Sequence, residues 1–266
     1  MGNKTNATKT MKRRDFLKLT IAGLATTTVA ATTMRNKASG PVGESPHKWV
    51  MVIDQAKCNG CGYCINACRA ENDVDPDKSW TRVIAQEPVD GQDVYLPMPC
   101  MHCADAPCVD ICPVGANSYR PDGIVMMDYD KCIGCRYCQL ACPYDARSFN
   151  WKAFSGENPA VPDWGEPAVA RRPRGVVEKC SFCYHRIDRG LALGLVPGVD
   201  AEATPACVVA CPPGARIFGD LNDPNSEVSK LVAQDCAYQL REALGTEPRV
   251  YYLPATPETN ENMASN

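Results

Sequence analysis

Cysteine spacing is the feature that most constrains how this 266-residue chain can fold. Sixteen of its 17 cysteines fall into four quartets, and the seventeenth, Cys236, stands alone. A [4Fe-4S] cluster is held by four thiolates, so this arithmetic allows four clusters in one chain. In chain order the quartets are Cys58, Cys61, Cys64 and Cys68; Cys100, Cys103, Cys108 and Cys112; Cys132, Cys135, Cys138 and Cys142; and Cys180, Cys183, Cys207 and Cys211.

Disulfides and structural zinc fit this spacing poorly. A disulfide scaffold seldom places cysteines every third residue, and the total number of cysteines is odd. Zinc takes four ligands, commonly as two C-x-x-C pairs, whereas the first and third quartets read C-x-x-C-x-x-C-x-x-x-C. That run is typical of bacterial ferredoxins, in which the fourth cysteine binds the other cluster of a pair. The spacing therefore favours iron–sulfur clusters.

The closely spaced cysteines predict loops that curl around a cluster. Gly60, Gly62 and Gly134 lie inside these loops, where glycine permits positive φ and a close approach of the backbone. The fourth cysteine follows about one helical turn later and so points toward a neighbouring cluster. Three quartets then continue as C-P-x-x-A, at residues 112–116, 142–146 and 211–215. Repetition of this unit indicates duplicated ferredoxin modules.

Composition favours a loop-rich fold that depends on its clusters. The chain contains 19 glycines and 22 prolines, and only 7% of its residues are aromatic. Metal sites often supply much of the folding free energy of such domains. The formal charge of −3 becomes roughly −11 with four clusters of about −2 each, which gives no support for nucleic-acid binding. Arg171, Arg172 and Arg174 are predicted to lie in a solvated loop or a partner contact.

The N-terminus resembles a twin-arginine export signal. Residues 12–18 read K-R-R-D-F-L-K, and a weakly apolar stretch follows at 19–31. We expect residues 1–45 to be a signal and linker outside the fold, with a candidate cleavage site after Ala31. Export would place the protein in the periplasm or on the outer face of the cytoplasmic membrane. No other apolar run approaches the twenty residues of a membrane span, so any span is expected in a partner or in an uncleaved signal.

Turn residues and apolar patterning predict the remaining elements. Strands are expected at 49–53, 216–219 and 249–253, with hairpins at 81–87/93–98 and 116–119/124–128. A long surface loop is expected at 151–175. Apolar positions at helical spacing predict a helix over 226–244. Cys236 lies on the apolar face of that predicted helix, which indicates a buried packing role.

In order and spacing, the quartets resemble those of the electron-transfer iron–sulfur subunits of complex iron–sulfur molybdoenzymes, such as dimethyl sulfoxide, polysulfide and tetrathionate reductases. The resemblance covers about residues 48–253 and is carried by C-x-x-C-x4-C-x3-C-P at 100–113, by K-C-S-F-C at 179–183 with P-A-C at 205–207, and by F-G-D-L-N-D-P-N-S-E at 218–227. Residues 134–138 and 146–150, with the export signal, most resemble the exported subunits of the sulfite-reduction-associated membrane complex and of formate-dependent nitrite reduction.

The resemblance implies that quartets exchange their fourth cysteines, first with fourth and second with third. The expected fold is α+β, with two interleaved bacterial-ferredoxin-like modules at 46–99 with 176–225 and at 100–150, a loop at 151–175, and a helix, strand and tail at 226–266. Four ligand sets follow, named here in the order used below. Set I is Cys58, Cys61, Cys64 and Cys211; set II is Cys68, Cys180, Cys183 and Cys207; set III is Cys100, Cys103, Cys108 and Cys142; and set IV is Cys112, Cys132, Cys135 and Cys138.

Some members of the family lack a cysteine in the third quartet and hold a three-iron cluster. Cys135 is present here, so four [4Fe-4S] clusters are expected. The implied function is an electron relay without catalytic residues, linking a polytopic quinone-reactive membrane subunit to a molybdopterin catalytic subunit or a multihaem cytochrome in anaerobic respiration of sulfur compounds or nitrite. The first-quartet cluster would face the catalytic or cytochrome partner, and the third-quartet cluster the membrane. Alternatives are a free-standing exported polyferredoxin and a zinc-binding assembly module.

Overall fold

The computed structural model describes residues 44–255, and these residues belong to one compact unit. The predicted export signal and nearly all of the C-terminal tail lie outside the described residues. Short elements alternate with loops in this part of the chain. The strands are β1 Trp49–Asp54, β2 Arg82–Ala85, β3 Tyr95–Met98, β4 Asn117–Tyr119, β5 Val125–Met127, β6 Ser148–Phe149, β7 Val177–Glu178, β8 Arg216–Asp220 and β9 Val250–Leu253. The helices are α1 Tyr63–Glu71, α2 Pro107–Asp110, α3 Tyr137–Ala141, α4 Tyr184–Ala192, α5 Ala206–Val209 and α6 Glu227–Val232, with 3-10 turns at Ala201–Ala203 and Glu242–Leu244.

Strand β1 lies at the centre of a three-stranded sheet. It pairs antiparallel with β8, where Trp49 is opposite Asp220, and parallel with β9, where Met51 is opposite Val250. Successive side chains of a strand point to opposite faces. Trp49, Met51 and Ile53 accordingly pack into the cluster of buried residues that contains most of the buried cysteines. Val50 and Val52 pack on the other face with Val228 of α6. The apolar run at 49–53 therefore forms a strand that is buried on both faces.

The predicted strands and hairpins are confirmed. Strand β2 pairs antiparallel with β3, and β4 pairs antiparallel with β5. In both hairpins the turn contains a glycine with positive φ, Gly91 at 77° and Gly123 at 89°. The segment 151–175 contains no helix or strand, as predicted.

The prediction of a solvated basic run is wrong for Arg172. This residue is buried, and its Nε donates to Glu178 Oε2 at 2.8 Å. Its neighbour Arg171 donates from Nε to Asp73 Oδ2 at 2.8 Å. Arg174, in contrast, is exposed. Two ion pairs therefore attach the 151–175 loop to the end of α1 and to β7.

The prediction of one helix over 226–244 is also wrong. Helix α6 begins after Ser226, whose side chain accepts from the Ser229 N–H, and it ends at Val232. The following segment turns, so that Tyr238 forms an isolated bridge with Tyr252. The apolar residues of this region thus reach the core from an irregular segment. Cys236 lies in that segment and is exposed, which corrects its predicted packing role.

Gly198 and Gly194 provide a matched test of packing against β8. Both have positive φ, 94° and 75°. A Cβ on Gly198 would lie 2.0 Å from the Phe218 carbonyl oxygen, whereas one on Gly194 would meet no atom within 4 Å. We expect Gly194→Ala to lower the free energy of unfolding by about 1 kcal/mol through backbone strain. Gly198→Ala should lower it by roughly 1–3 kcal/mol more, because it also overpacks the site.

Anaerobic thermal melts of the cluster-loaded variants, followed by circular dichroism, measure this difference. Equal losses for the two glycines would show that the loop does not pack against β8 as described.

Candidate iron–sulfur sites

The fold brings cysteines from different quartets together. One cavity, with about 310 Å³ of space partly open to solvent, is lined by all four cysteines of set I. A second, also about 310 Å³, is lined by all four of set III. A third, about 260 Å³, is lined by all four of set IV. Each cavity thus takes three cysteines from one quartet and the fourth from another quartet.

Set II is assembled around an asparagine. Asn72 Nδ2 lies 3.8 Å from Cys68 Sγ and 3.6 Å from Cys183 Sγ. Burial, and then the neighbouring thiolates of Cys183, Cys180 and Cys207, raise the pKa of the Cys68 thiol well above its usual value. The four cysteines of this set are therefore close neighbours, and all four are buried.

Local backbone geometry aims the cysteines inward. Helices α1, α3 and α4 each begin after a residue in the left-handed region: Gly62 with φ 76°, Arg136 with φ 64° and Cys183 with φ 50°. Gly60 and Gly134, predicted to need positive φ, have φ values of 72° and 70°. A Cβ on Gly134 would lie 2.2 Å from the Gly175 carbonyl oxygen, so the third-quartet loop tolerates only glycine there.

The sets are neighbours in the order I, II, III, IV. Arg216 interacts electrostatically with Cys64 of set I and with Cys207 and Cys180 of set II. Lys179 interacts with Cys180 of set II and with Cys100 and Cys108 of set III. Arg147 interacts with Cys108 and Cys100 of set III and with Cys138 of set IV. A buried cation thus lies at each junction between consecutive sets.

Burial increases from the ends of this series to its middle. In set I, Cys61 is exposed and Cys58 and Cys211 are half-buried; in set IV, Cys112, Cys132 and Cys135 are half-buried. Set II is buried throughout, and in set III only Cys142 is half-buried. Sets I and IV are therefore the two ends that lie nearest the protein surface.

Burial raises the free energy of the ionised thiols unless a nearby cation compensates for their charge. Burial, followed by the charge of Cys100, raises the pKa of Cys103 to about 12. The same two causes raise the pKa of Cys180 to about 12. These thiols hold their protons at neutral pH unless a metal replaces them, because a coordinated thiol is deprotonated by the charge of the metal. Iron would supply that charge.

The arrangement fits a cluster better than a single ion. Among residues 44–255, no group of three or more His, Cys, Asp or Glu side chains is placed to hold one metal ion. Zinc would need four sulfurs within about 2.3 Å of one point. The thiols instead line cavities between loops, as the larger [4Fe-4S] cluster requires.

Unpaired buried donors beside the thiols also fit a cluster. Arg147 Nε and Asn117 Nδ2 are buried and have no hydrogen-bond partner. Buried polar groups normally find an acceptor, and the inorganic sulfides of a cluster are acceptors. Arg147 lines the cavity of set III and Asn117 lines that of set IV. The donors are therefore placed to bond to cluster sulfur.

Sequence reasoning missed the buried cations. Arg147 Nη2 donates to Cys108 Sγ at 2.8 Å, and Arg216 Nη1 lies 3.9 Å from Cys207 Sγ. Lys179 donates from Nζ to the Cys180 carbonyl at 2.7 Å. A sequence signal for the two arginines lies one position after the C-P-x-x-A repeat, where the chain has Asn117, Arg147 and Arg216.

The histidines make hydrogen bonds within the protein. His102 is buried, its Nδ1 accepts from the Val125 N–H at 3.1 Å, and its ring stacks on Phe182. His185 Nε2 bonds to Glu71 Oε1 at 2.8 Å. His185 therefore helps to fix α4 against the end of α1.

Known proteins are similar in sequence to this chain over most of its length. Two family profiles described as 4Fe-4S dicluster domain match residues 50–113 and 92–157. A Halobacterium salinarum protein, named as an iron–sulfur subunit of dimethyl sulfoxide reductase, is 47% identical, over 81% of this chain and 84% of its own. The iron–sulfur cluster-binding subunit of menaquinone reductase from Nitratidesulfovibrio vulgaris is 45% identical, over 77% and 88%. The iron–sulfur subunit 1 of an Hdr-like menaquinol oxidoreductase from Archaeoglobus fulgidus is 38% identical, over 91% and 97%.

Removal of the metal should unfold the described part of the chain. Without iron, sets II and III leave adjacent thiols in the core, where burial and mutual repulsion oppose their ionisation. The free energy of metal binding in such sites is part of the folding free energy. We therefore expect anaerobic treatment with an iron chelator and a thiol reductant to abolish the cooperative thermal transition seen by circular dichroism. A cooperative melt retained by iron-free, fully reduced protein would contradict this dependence.

Proposed function

The chain belongs to the family of [4Fe-4S] electron-transfer subunits that includes those of dimethyl sulfoxide, selenate, arsenate and tetrathionate reductases and of a sulfite dehydrogenase, and from that membership we propose that it relays single electrons between a quinone-reactive membrane subunit and a redox partner. Members of this family serve membrane-associated respiratory reductases and are not their catalytic subunits. Its two dicluster domains and its cysteine quartets match four [4Fe-4S] clusters.

Sets I to IV are the proposed ligand sets, one for each cluster. The observation that carries this assignment is that three separate cavities are each lined by all four cysteines of one set. A bound [4Fe-4S] cluster takes up and releases one electron at a time without forming or breaking a bond to substrate. The residues of this chain hold the metal, exclude water from sets II and III, and direct N–H donors toward sulfur.

Sets I and IV, at the two ends of the series, are the proposed sites at which electrons pass between this chain and its partners. Electron tunnelling to a partner needs a short distance, and sets I and IV lie nearest the surface. The relatives named for menaquinone and menaquinol support a quinone-linked partner. The partner at the other end is a molybdopterin catalytic subunit or a multihaem cytochrome.

Exposed apolar side chains support set IV as the end that docks on the membrane partner. Leu140 is 84% exposed, and Ile133, Tyr137 and Trp151 are also exposed. Tyr137 and Leu140 lie three residues apart on α3, so they share one face of that helix. Large apolar side chains grouped on a surface mark an interaction site. Among residues 44–255, no helix has the length and hydrophobicity needed to cross a bilayer.

Export by the twin-arginine pathway is proposed from residues 12–18. That pathway carries folded proteins, which suits clusters that must be inserted in the cytoplasm. The proposed location is therefore the periplasm or the outer face of the cytoplasmic membrane. A free-standing polyferredoxin would need no apolar docking surface, so the exposed side chains around α3 favour fixed partners over that alternative.

Replacement of one set IV ligand tests the proposed path. We expect Cys132→Ser to reduce quinol-linked electron transfer in the assembled complex by about tenfold or more, because the cluster at that end would be lost or altered. Wild-type protein purified anaerobically should contain about sixteen irons per chain and the variant about four fewer. Cys236→Ser is the matched control, since Cys236 is exposed and outside every set.

Iron analysis, electron paramagnetic resonance after reduction, and quinol oxidation measure these outcomes. Unchanged quinol-linked turnover in Cys132→Ser would refute the assignment of set IV to the quinone side. About twelve irons in wild-type protein would refute four [4Fe-4S] clusters.

A charge on the exposed face of α3 tests the docking surface. Leu140→Asp should weaken association with the membrane partner more than tenfold, because about 1.5–3 kcal/mol of apolar burial is lost. Leu193→Asp provides the control, since Leu193 is also exposed but follows α4 rather than lying beside set IV. Co-purification with membranes at matched iron content measures the effect. Equal retention of both variants would exclude α3 from the interface.

A further inference from the structure

The residue that follows a C-P-x-x-A unit is an arginine in two of the three units and an asparagine in the third. Arg147 follows residues 142–146 and Arg216 follows residues 211–215, whereas Asn117 follows residues 112–116. In the first quartet, which lacks the proline, Asn72 lies four residues after Cys68. Each module therefore has one arginine and one asparagine shortly after the fourth cysteine of a quartet, although Asn72 lies one position nearer to its cysteine than the other three residues do.

Both arginines are buried between two cysteine sets. Arg147 and Arg216 are each 3% exposed. Arg147 lines the set III cavity and donates to Cys108 Sγ at 2.8 Å. Arg216 lines the set I cavity, and its Nη1 lies 3.9 Å from Cys207 Sγ of set II. Arg147 is therefore closest to set III, whereas Arg216 faces sets I and II together.

Neither arginine is neutralised by a carboxylate. The side-chain partners of Arg147 are Asn117 Oδ1 at 2.7 Å, Met127 Sδ and Cys108 Sγ. Those of Arg216 are Thr81 Oγ1 at 2.7 Å, Met51 Sδ and Cys207 Sγ. Among the described residues, no salt bridge includes either guanidinium. Their positive charges are therefore directed at the thiolates.

The two asparagines lie beside sets II and IV, and their side chains carry no net charge. Asn72 Nδ2 approaches Cys68 Sγ and Cys183 Sγ of set II. Asn117 lines the set IV cavity, and its Nδ2 has no hydrogen-bond partner. An amide donates a hydrogen bond, whereas a guanidinium donates hydrogen bonds and also adds a full positive charge.

Reduction of a cluster adds one negative charge, which a nearby buried cation stabilises strongly because the protein interior has a low dielectric constant. Local charge and hydrogen bonds to sulfur are established means of setting cluster potentials. We propose that Arg216 and Arg147 are the potential-setting residues of their modules. Arg216 raises the reduction potentials of the clusters in sets I and II, and Arg147 raises that of set III more than that of set IV. This inference rests on the proposed electron relay.

Redox titrations of the full chain, followed by electron paramagnetic resonance, test the assignment. The variants are Arg147→Asn and Arg216→Asn, since asparagine is the residue that this chain itself uses after residues 112–116. Arg216→Asn should raise the ratio of oxidised to reduced cluster in sets I and II at least about tenfold at a fixed potential, which corresponds to about 59 mV for a one-electron couple. Arg147→Asn should do the same for the cluster of set III and have a smaller effect on that of set IV. Each variant is the control for the other, because the reduction potentials of the clusters in the module that was not altered should stay unchanged.

Two further variants separate charge from structure. Arg147→Lys and Arg216→Lys keep the positive charge and should retain potentials near those of wild type. Arg189→Gln removes a charge from an exposed position on α4 and should leave all four couples unchanged. If an asparagine variant loses iron, the neutral glutamine variant of the same position decides: a tenfold or larger shift toward the oxidised form supports the proposal, and an unchanged potential overturns it.

The outcomes separate this inference from the proposed function. Absence of iron and of paramagnetic signals in wild-type protein would defeat the relay itself. Wild-type clusters present with full iron, but with midpoint potentials that both asparagine variants leave unchanged, would overturn only the role of the arginines.

Discussion

The cost of placing many thiolates close together in a protein interior is the constraint on which the rest of this structure depends. Burial and mutual repulsion raise the pKa values of Cys68, Cys103 and Cys180, so these sets cannot ionise together unless positive charge is supplied. Iron would supply most of it, and the buried guanidinium groups of Arg147 and Arg216 supply more. Short helices and tight loops follow from this, because the chain must curl repeatedly around metal rather than around a large apolar core.

The same constraint explains the unusual content of the core. The main cluster of buried residues mixes cysteines with Trp49, Met101 and Phe182 rather than consisting of aliphatic side chains alone. A fully buried lysine would be costly elsewhere. Here Lys179 donates to two backbone carbonyls, those of Val125 and Cys180, between sets II and III. The polar interior therefore serves the electron path as well as the fold.

The proposed electron relay is consistent with the way in which burial of the cysteines changes along the four sets. The cysteines of set II and most of set III are buried, whereas sets I and IV contain most of the half-buried and exposed cysteines of the four sets, as the proposed contacts with partners at the two ends require. Relatives of this chain are named as subunits of dimethyl sulfoxide, selenate, arsenate and tetrathionate reductases and of a sulfite dehydrogenase. In the proposed relay, substrate choice would belong to the catalytic partner, and this chain would determine how readily electrons are held and passed on.

The sequence by itself determined the clusters, the cysteine loops and the local hairpins, because thiolate spacing, glycines with positive φ and turn residues act within a few residues. The helix predicted over 226–244 failed because Tyr238 pairs with Tyr252, a contact that no local period contains. The buried state of Arg172, the exposure of Cys236 and the positions of Arg147 and Arg216 were likewise decided only by the tertiary structure. Burial and charge compensation depend on which distant segments meet, and spacing along the chain does not encode that.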